Sequence, residues 1–366
     1  MQSTAAVNIQ ELLSADNATR KRAEDNMNQE FAKDPANLAR ALISGLSAGQ
    51  PEAIATMSCI CLKKYYLDAK ATAQLDSGDL ETFKQAIVAS LDFSSQTMSL
   101  LKRKGDVLSK IYSKLQQNGE FLTKLVAYAG SQVATERQFA MYAFEVLSEM
   151  HLSPEELKQY HADFKTIFTN ALGDSEVQVK VAALKAISAF ISALEDTDVV
   201  LGFKDVLPLL VKTIVTVLQV DEDQGRQALD SLGELSSAHA EVWRGCTGDL
   251  VNLVADICSL TDFEPGTRAA AAEVILSLSS VEPAPLRKIP ETQTKLLPAF
   301  VKMLMEDDRD DATWAEEAEE GQATGLDSVA TASSAIQRFA EHIGEKTLLP
   351  ALAPLIAELR AGATPQ

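Results

Sequence analysis

From Glu52 to Ser153 the chain has no proline, and apolar residues recur at helical spacing almost throughout. Phe121, Leu122, Leu125, Val126 and Tyr128 make one such stripe; Phe139, Tyr142, Ala143, Val146, Leu147 and Met150 make another. Steps of i, i+3, i+4 and i+7 place these side chains on one face of a helix that packs against a neighbour. Strand-like alternation bounded by turn pairs is absent. Helix starts are marked by Ser153-Pro154-Glu-Glu, by Asp174-Ser-Glu and by Glu264-Pro265-Gly266-Thr267. Each sets a capping or acidic residue ahead of an apolar run, and two of them add a first-turn proline. Breaks fall about every twenty residues, which predicts sixteen or seventeen consecutive helices.

Every second helix opens with a basic residue followed three positions later by a small one. The pairs are Arg20/Ala23, Lys102/Gly105, Arg137/Ala140, Lys180/Ala183 and Arg268/Ala271, with weaker copies at Ala55/Ser58 and Arg226/Leu229. The small residue lets the two helices of a hairpin approach, and the basic head can reach a neighbouring carbonyl or carboxylate. Asp16-x-x-x-Arg20-x-x-Ala23 resembles the pattern of HEAT repeats. Seven copies about 40 residues apart predict an all-α superhelix, a solenoid of about eight helical hairpins plus one terminal helix. It would run as a single array over residues 1–366. The last apolar helix, Leu348 to Leu359, has no polar capping repeat after it, which predicts a natural chain that continues.

The eighth copy comes late, near Ser328 and Ala330, and the excess length is an acidic insertion over 306–326. From Glu306 to Glu320 it holds nine acids and one Arg, so it supplies −8 of the net charge of −19. Self-repulsion and low hydrophobicity predict a loop between the two helices of the eighth unit. Its candidate contact residues are Glu306, Asp307, Asp308, Asp310, Asp311, Trp314, Glu316, Glu317, Glu319 and Glu320. Trp314, a residue type enriched at binding hot spots, argues against a purely solubilising role. The overall charge argues against direct binding to nucleic acid, which needs a basic face, and suits a basic partner.

Catalytic chemistry finds no constellation in this sequence. His151, His161, His239 and His342 are scattered without metal-ligand spacing, each expected on a solvated face or loop. Cys59 and Cys61 point to different helix faces and are expected as buried thiols; with Cys246 and Cys258 they predict no disulfide and a reducing compartment. There is no phosphate-cradling glycine loop and no nucleophile elbow. No cofactor, no metal, no signal peptide and no membrane-inserted segment are expected.

The segment Met305-Glu-Asp-Asp-Arg-Asp-Asp-Ala-Thr-Trp-Ala-Glu-Glu resembles the acidic loop of the importin-beta (karyopherin-beta) nuclear transport receptors. Ser334-Ala-Ile-Gln-Arg-Phe-Ala, Gly344-Glu-Lys and Leu348-Leu-Pro350 resemble the importin five branch. So do Leu13 to Glu24 and Ala272 to Ser279 before Leu286-Arg-Lys288. The resemblance implies a shuttling receptor, moving between cytoplasm and nucleus, of which this chain carries the first eight repeats and one helix of the ninth. It implies that inner helices bind the Ran GTPase in its GTP form, with Lys102, Arg103 and Lys104 on the third inner helix near that surface. It also implies that outer helices bind the phenylalanine-glycine repeats of nuclear-pore proteins, and that the inner face and acidic loop take basic cargo. The alternative is a cytosolic HEAT scaffold that organises a phosphatase or another multiprotein complex.

Overall fold

The structure is a computed structural model that describes residues 8–47, 49–68, 76–306 and 328–362. Every regular element among them is helical, and no strand occurs among the described residues. A short 3-10 turn, Ile9–Leu13, precedes α1 (Asn17–Lys33), α2 (Pro35–Ser44), α3 (Glu52–Leu62), α4 (Ser77–Ala89), α5 (Met98–Lys114), α6 (Asn118–Ala129) and α7 (Ala134–Met150). There follow α8 (Pro154–Leu172), α9 (Val177–Ser192), the single-turn α10 (Thr197–Leu201), α11 (Leu207–Val220), α12 (Glu222–Ala238) and α13 (Thr247–Ser259). The series ends with α14 (Pro265–Val281), the one-turn α15 (Pro283–Leu286), α16 (Leu297–Leu304), α17 (Ser328–Ile343) and α18 (Glu345–Gly362). The chain divides into two compact units, Met1–Ser153 and Pro154–Gln366. Each is a solenoid of stacked hairpins.

Within each unit the motif-bearing helices stack on one another as one layer, and the intervening helices form the other. In the first unit α3, α5 and α7 succeed one another; in the second α9, α12, α14 and α17 do, with α8, α11, α13 and α16 behind them. Side-chain caps fix the start of three motif helices, α1, α5 and α12. Asp16 accepts from the Thr19 amide at 2.9 Å, and Asp221 from the Gln224 amide at 3.1 Å, satisfying first-turn donors that the helix cannot. The residue seven positions after each cap faces the partner helix. Ala23, Ser58, Ala140, Ala183, Ala228 and Ala271 all occupy it and are buried. Two of the sequence pairs therefore shift by one residue. With Thr97 and Asp221 as caps, Ala228 rather than Leu229 takes the small position, and Lys104 rather than Gly105 takes it in α5.

The basic member of the pair does what its position allows. Arg137 Nη1 donates to the Ser131 carbonyl at 3.0 Å, and Arg20 Nη1 reaches the Ser14 carbonyl. Bonds spaced by one repeat tie each hairpin to the next. Lys165 donates to the Gly202 carbonyl and Lys295 to Asn252 Oδ1, both at 2.6 Å, and Lys302 to the Ser259 carbonyl at 2.9 Å. Between the layers the core is apolar, with Phe164, Phe168, Phe190 and Phe203 in one chain of ring contacts at 5.0–5.8 Å. Two residues assigned to core stripes by spacing lie outside it: Val126 is 47% exposed and Met150 70%.

Asp221 alone joins α11 to α12, acting as C-cap of one and N-cap of the other. So abrupt a reversal brings Gly225 onto Leu218, where an added Cβ would sit 2.7 Å from Leu218 Cγ and 3.1 Å from its Cα. Gly225→Ala is therefore expected to destabilise the second unit by about 1–3 kcal/mol through overpacking. Gly233, two turns on, has open space at its Cβ position. Gly233→Ala is expected to stabilise by about 0.5–1 kcal/mol, because alanine loses less backbone entropy in a helix. Denaturant midpoints of the two variants, moving in opposite directions, check this pair.

Candidate functional site

The second unit carries a groove of about 640 Å³ between two neighbouring helices of the intervening layer, α11 and α13. Its α11 wall is Pro208, Val211, Val215 and Leu218, with Lys212 and Gln219 at the edge. The α13 wall is Asp249, Asn252, Leu253, Asp256 and Ile257, and Leu260 with Phe263 closes one end. The groove exists because α11, LPLLVKTIVTVLQV, is apolar nearly all round. Leu207, Leu210, Ile214 and Val217 turn into the core and are fully buried. That leaves Val215, 40% exposed, beside Leu260, 49% exposed. An apolar stripe wider than one packed face requires is the signature of a helix that meets something else. Spacing alone could not separate these residues from core, since both kinds share the same period.

The groove's rim is polar but largely committed. Asn252 Nδ2 donates to the Gly248 carbonyl at 2.9 Å while its Oδ1 accepts from Lys295. Asp249 accepts weakly from the buried Cys246 thiol at 3.5 Å. Burial, and then this carboxylate, push that thiol up to about 12. Burial likewise raises Cys59 to about 12 and Cys61 to about 11, so these thiols are poor nucleophiles at neutral pH. All four cysteines are buried, Cys59 and Cys61 as expected. Three of the four histidines are not on solvated faces: His151, His239 and His342 are half-buried at the ends of α7, α12 and α17, and His342 Nδ1 lies 2.9 Å from Ser279 Oγ, whereas His161 stands on α8 in an exposed contact with the Lys158 carbonyl. Among the described residues no group of three His, Cys, Asp or Glu is placed to hold a metal ion. No described helix is long and apolar enough to cross a membrane.

The residues singled out for partner contact fare differently. Of the basic run on α5, Arg103 is exposed, while Lys102 is half-buried with its ammonium 4.8 Å from the centre of the Tyr142 ring. Lys104 is fully buried. Its Nζ donates to the Ser90 carbonyl at 2.6 Å and to Gln96 Oε1 at 3.1 Å, so Lys104 is a core residue and not part of a partner-facing surface. Burial pulls its ammonium below the usual lysine range.

Glu306, the first residue of the acidic insertion, is half-buried and bonded within the fold. It takes a bidentate pair from Arg268, at 2.6 and 2.8 Å. The same guanidinium, 2% exposed, donates to the Cys258 carbonyl through Nε and Nη2 and to Ser328 Oγ at 3.3 Å. One buried side chain thus holds the residues on both sides of 307–327. Asp307, Asp308, Asp310, Asp311, Trp314, Glu316, Glu317, Glu319 and Glu320 lie outside the described residues.

Two family models match the sequence. Residues 96–253 match the one described as IPO5-like, TPR repeats, and residues 261–350 the one described as importin repeat. Among solved structures, Kap121p bound to RanGTP superposes with a TM-score of 0.78 at 19% identity, over 97% of this chain and 34% of that one. Kap121p bound to Nup53p does so at 0.76 and 19%, over 99% and 34%. Kap121p bound to the SUMO protease Ulp1p does so at 0.77 and 18%, over 97% and 34%. The chain spans about a third of the length of these solved structures.

Proposed function

Because the chain belongs to the importin-beta (karyopherin) superfamily, we propose that it is part of a nuclear import receptor. It would shuttle between cytoplasm and nucleus and use the α11–α13 groove to bind phenylalanine-glycine repeats of nuclear-pore proteins. The observation that carries this reading is an exposed apolar groove between neighbouring helices of the intervening layer. Such a slot fits a single aromatic side chain offered by a flexible strand, because the walls supply apolar contact and the rim excludes little else. The similar Kap121p has been solved with RanGTP, with Nup53p and with protein ligands. By extension the first unit binds Ran in its GTP form, with Arg103 and Lys102 as its candidate basic contacts, and basic cargo is carried by the receptor as a whole.

The test is a titration with a phenylalanine-glycine repeat segment, read by calorimetry or by chemical-shift change. Burying one phenylalanine contributes about 1.5–3 kcal/mol, worth roughly 10- to 150-fold in affinity. Val215→Asp combined with Leu260→Asp is therefore expected to weaken binding at least tenfold, with helicity unchanged because both positions are half exposed. Equal binding by wild type and variant would remove the groove from the reading.

A further inference from the structure

Leu260 and Phe263, which close one end of the groove, are joined by Thr261 and Asp262, and Glu264 follows. Thr261, Asp262 and Glu264 are exposed in the turn between α13 and α14. Six hydroxyl residues among the described ones have an acid three positions later: Ser153, Ser192, Ser231, Ser259, Thr261 and Ser279. Ser192, Ser231, Ser259 and Ser279 lie within helices, and Ser153 is half-buried ahead of Pro154. Thr261 stands outside any helix and has a second acid at the next position. Its hydroxyl makes no hydrogen bond among the described residues. Within the turn the Phe263 amide donates to the Leu260 carbonyl at a long 3.4 Å, a weak tie against the extended conformation that a kinase cleft requires.

We propose that Thr261 is a phosphorylation site for a kinase that selects acidic residues, and that its phosphate bars apolar ligands from the groove. The second half rests on the reading of the groove as a site for phenylalanine-glycine repeats. A basic kinase cleft reads carboxylates one and three positions after the acceptor through charge-assisted hydrogen bonds. Thr261 Oγ1 attacks the γ-phosphorus of ATP. The bond from that phosphorus to the β,γ-bridging oxygen breaks, ADP leaves, and the hydroxyl proton passes to the kinase's catalytic carboxylate. The product carries a charge of about −1.5 to −2 at neutral pH, set between two residues of the groove wall. Lys302 stands beside the same turn, its Nζ donating to the Ser259 carbonyl at 2.9 Å, and one ammonium offsets only part of that charge. An aromatic ring seated against Leu260 and Phe263 must displace water from the phosphate, and a charged group gives up its hydration at high cost.

The test treats the whole chain with ATP and an acid-directed serine/threonine kinase and maps the phosphate by mass spectrometry. A phenylalanine-glycine repeat segment is titrated before and after. Thr261 is expected to carry the phosphate, and the repeat segment then to bind about tenfold more weakly, with a phosphatase restoring the affinity. Asp262→Asn with Glu264→Gln should slow modification of Thr261 at least about tenfold. Modification of that variant at the wild-type rate overturns the acid-directed class. Thr261→Val keeps the shape of the side chain without the acceptor, so kinase treatment should leave its affinity unchanged. An unmodified Thr261 in the wild type overturns the acceptor assignment. Phosphate on Thr261 without loss of affinity overturns control of the groove and leaves the repeat-binding reading intact. An equal loss of affinity in treated Thr261→Val assigns the effect to phosphate elsewhere and overturns that control too. Failure of the unmodified chain to bind the repeat segment overturns the groove reading, and its control by phosphate with it.

Discussion

Replacing Arg268 with methionine is expected to destabilise the second unit by about 3–5 kcal/mol. The substitution removes a buried guanidinium and leaves Glu306 and the Cys258 carbonyl without their donors. The cost is large because the buried Cys258 carbonyl loses both donors while Glu306, 22% exposed, loses its bidentate partner. Arg268→Lys keeps the charge but not the planar fork, so it cannot pair bidentately with Glu306 and bond Cys258 together; about 1–3 kcal/mol is expected. Acid has a related effect. The hydrogen bonds from Arg268 hold the Glu306 carboxyl below its ordinary value. A carboxyl depressed in the folded state contributes stability that is complete above its unfolded value, about 4.3. That contribution is lost as pH falls through the folded value. Denaturant titrations at neutral pH and below pH 4 should show wild type losing more stability than Arg268→Met. Equal losses would mean the pair contributes nothing.

Lys104→Glu is the second large effect, again about 3–5 kcal/mol and confined to the first unit. A carboxylate in place of the ammonium would face the Ser90 carbonyl and Gln96 Oε1, two acceptors with nothing to give. Lys104→Met removes both the hydrogen bonds and the desolvated charge, so only about 1–2 kcal/mol should be lost. Arg103→Glu, on the exposed side of the same helix, should leave stability within about 0.5 kcal/mol. A thermal melt of the three variants checks the order. Arg103→Glu is consequently the substitution that can test the proposed Ran binding, whereas reversing all three charges together would report mainly on unfolding.

Much of this molecule was legible in its sequence. Helix starts at Pro154 and Pro265 came from capping residues and first-turn prolines, which act through the local backbone and need no tertiary context. The repeat came from small residues recurring about every 40 positions. Hairpins must approach closely at one point per repeat, and only Ala, Ser or Gly permits it without a special arrangement. That special arrangement is Lys104. A lysine at the small position reads as a surface charge, and only the packing of α5 over the Ser90 carbonyl shows its stem crossing the core. Glu306 is a related case. Its neighbours in sequence are acids, but its neighbour in space is Arg268, 38 residues back.

The sequence by itself therefore determined the fold class, the hairpin register to within one residue, and the family. Helical periodicity, capping and small-residue spacing are local properties repeated along the chain. Only the tertiary structure decided which charges are buried and which apolar residues form a groove. A period of 3.6 tells which residues share a face but not what that face meets. Leu210 and Val215 lie on neighbouring stripes of α11 with the same period; Leu210 is buried in the core, while Val215 is 40% exposed in the groove beside α13.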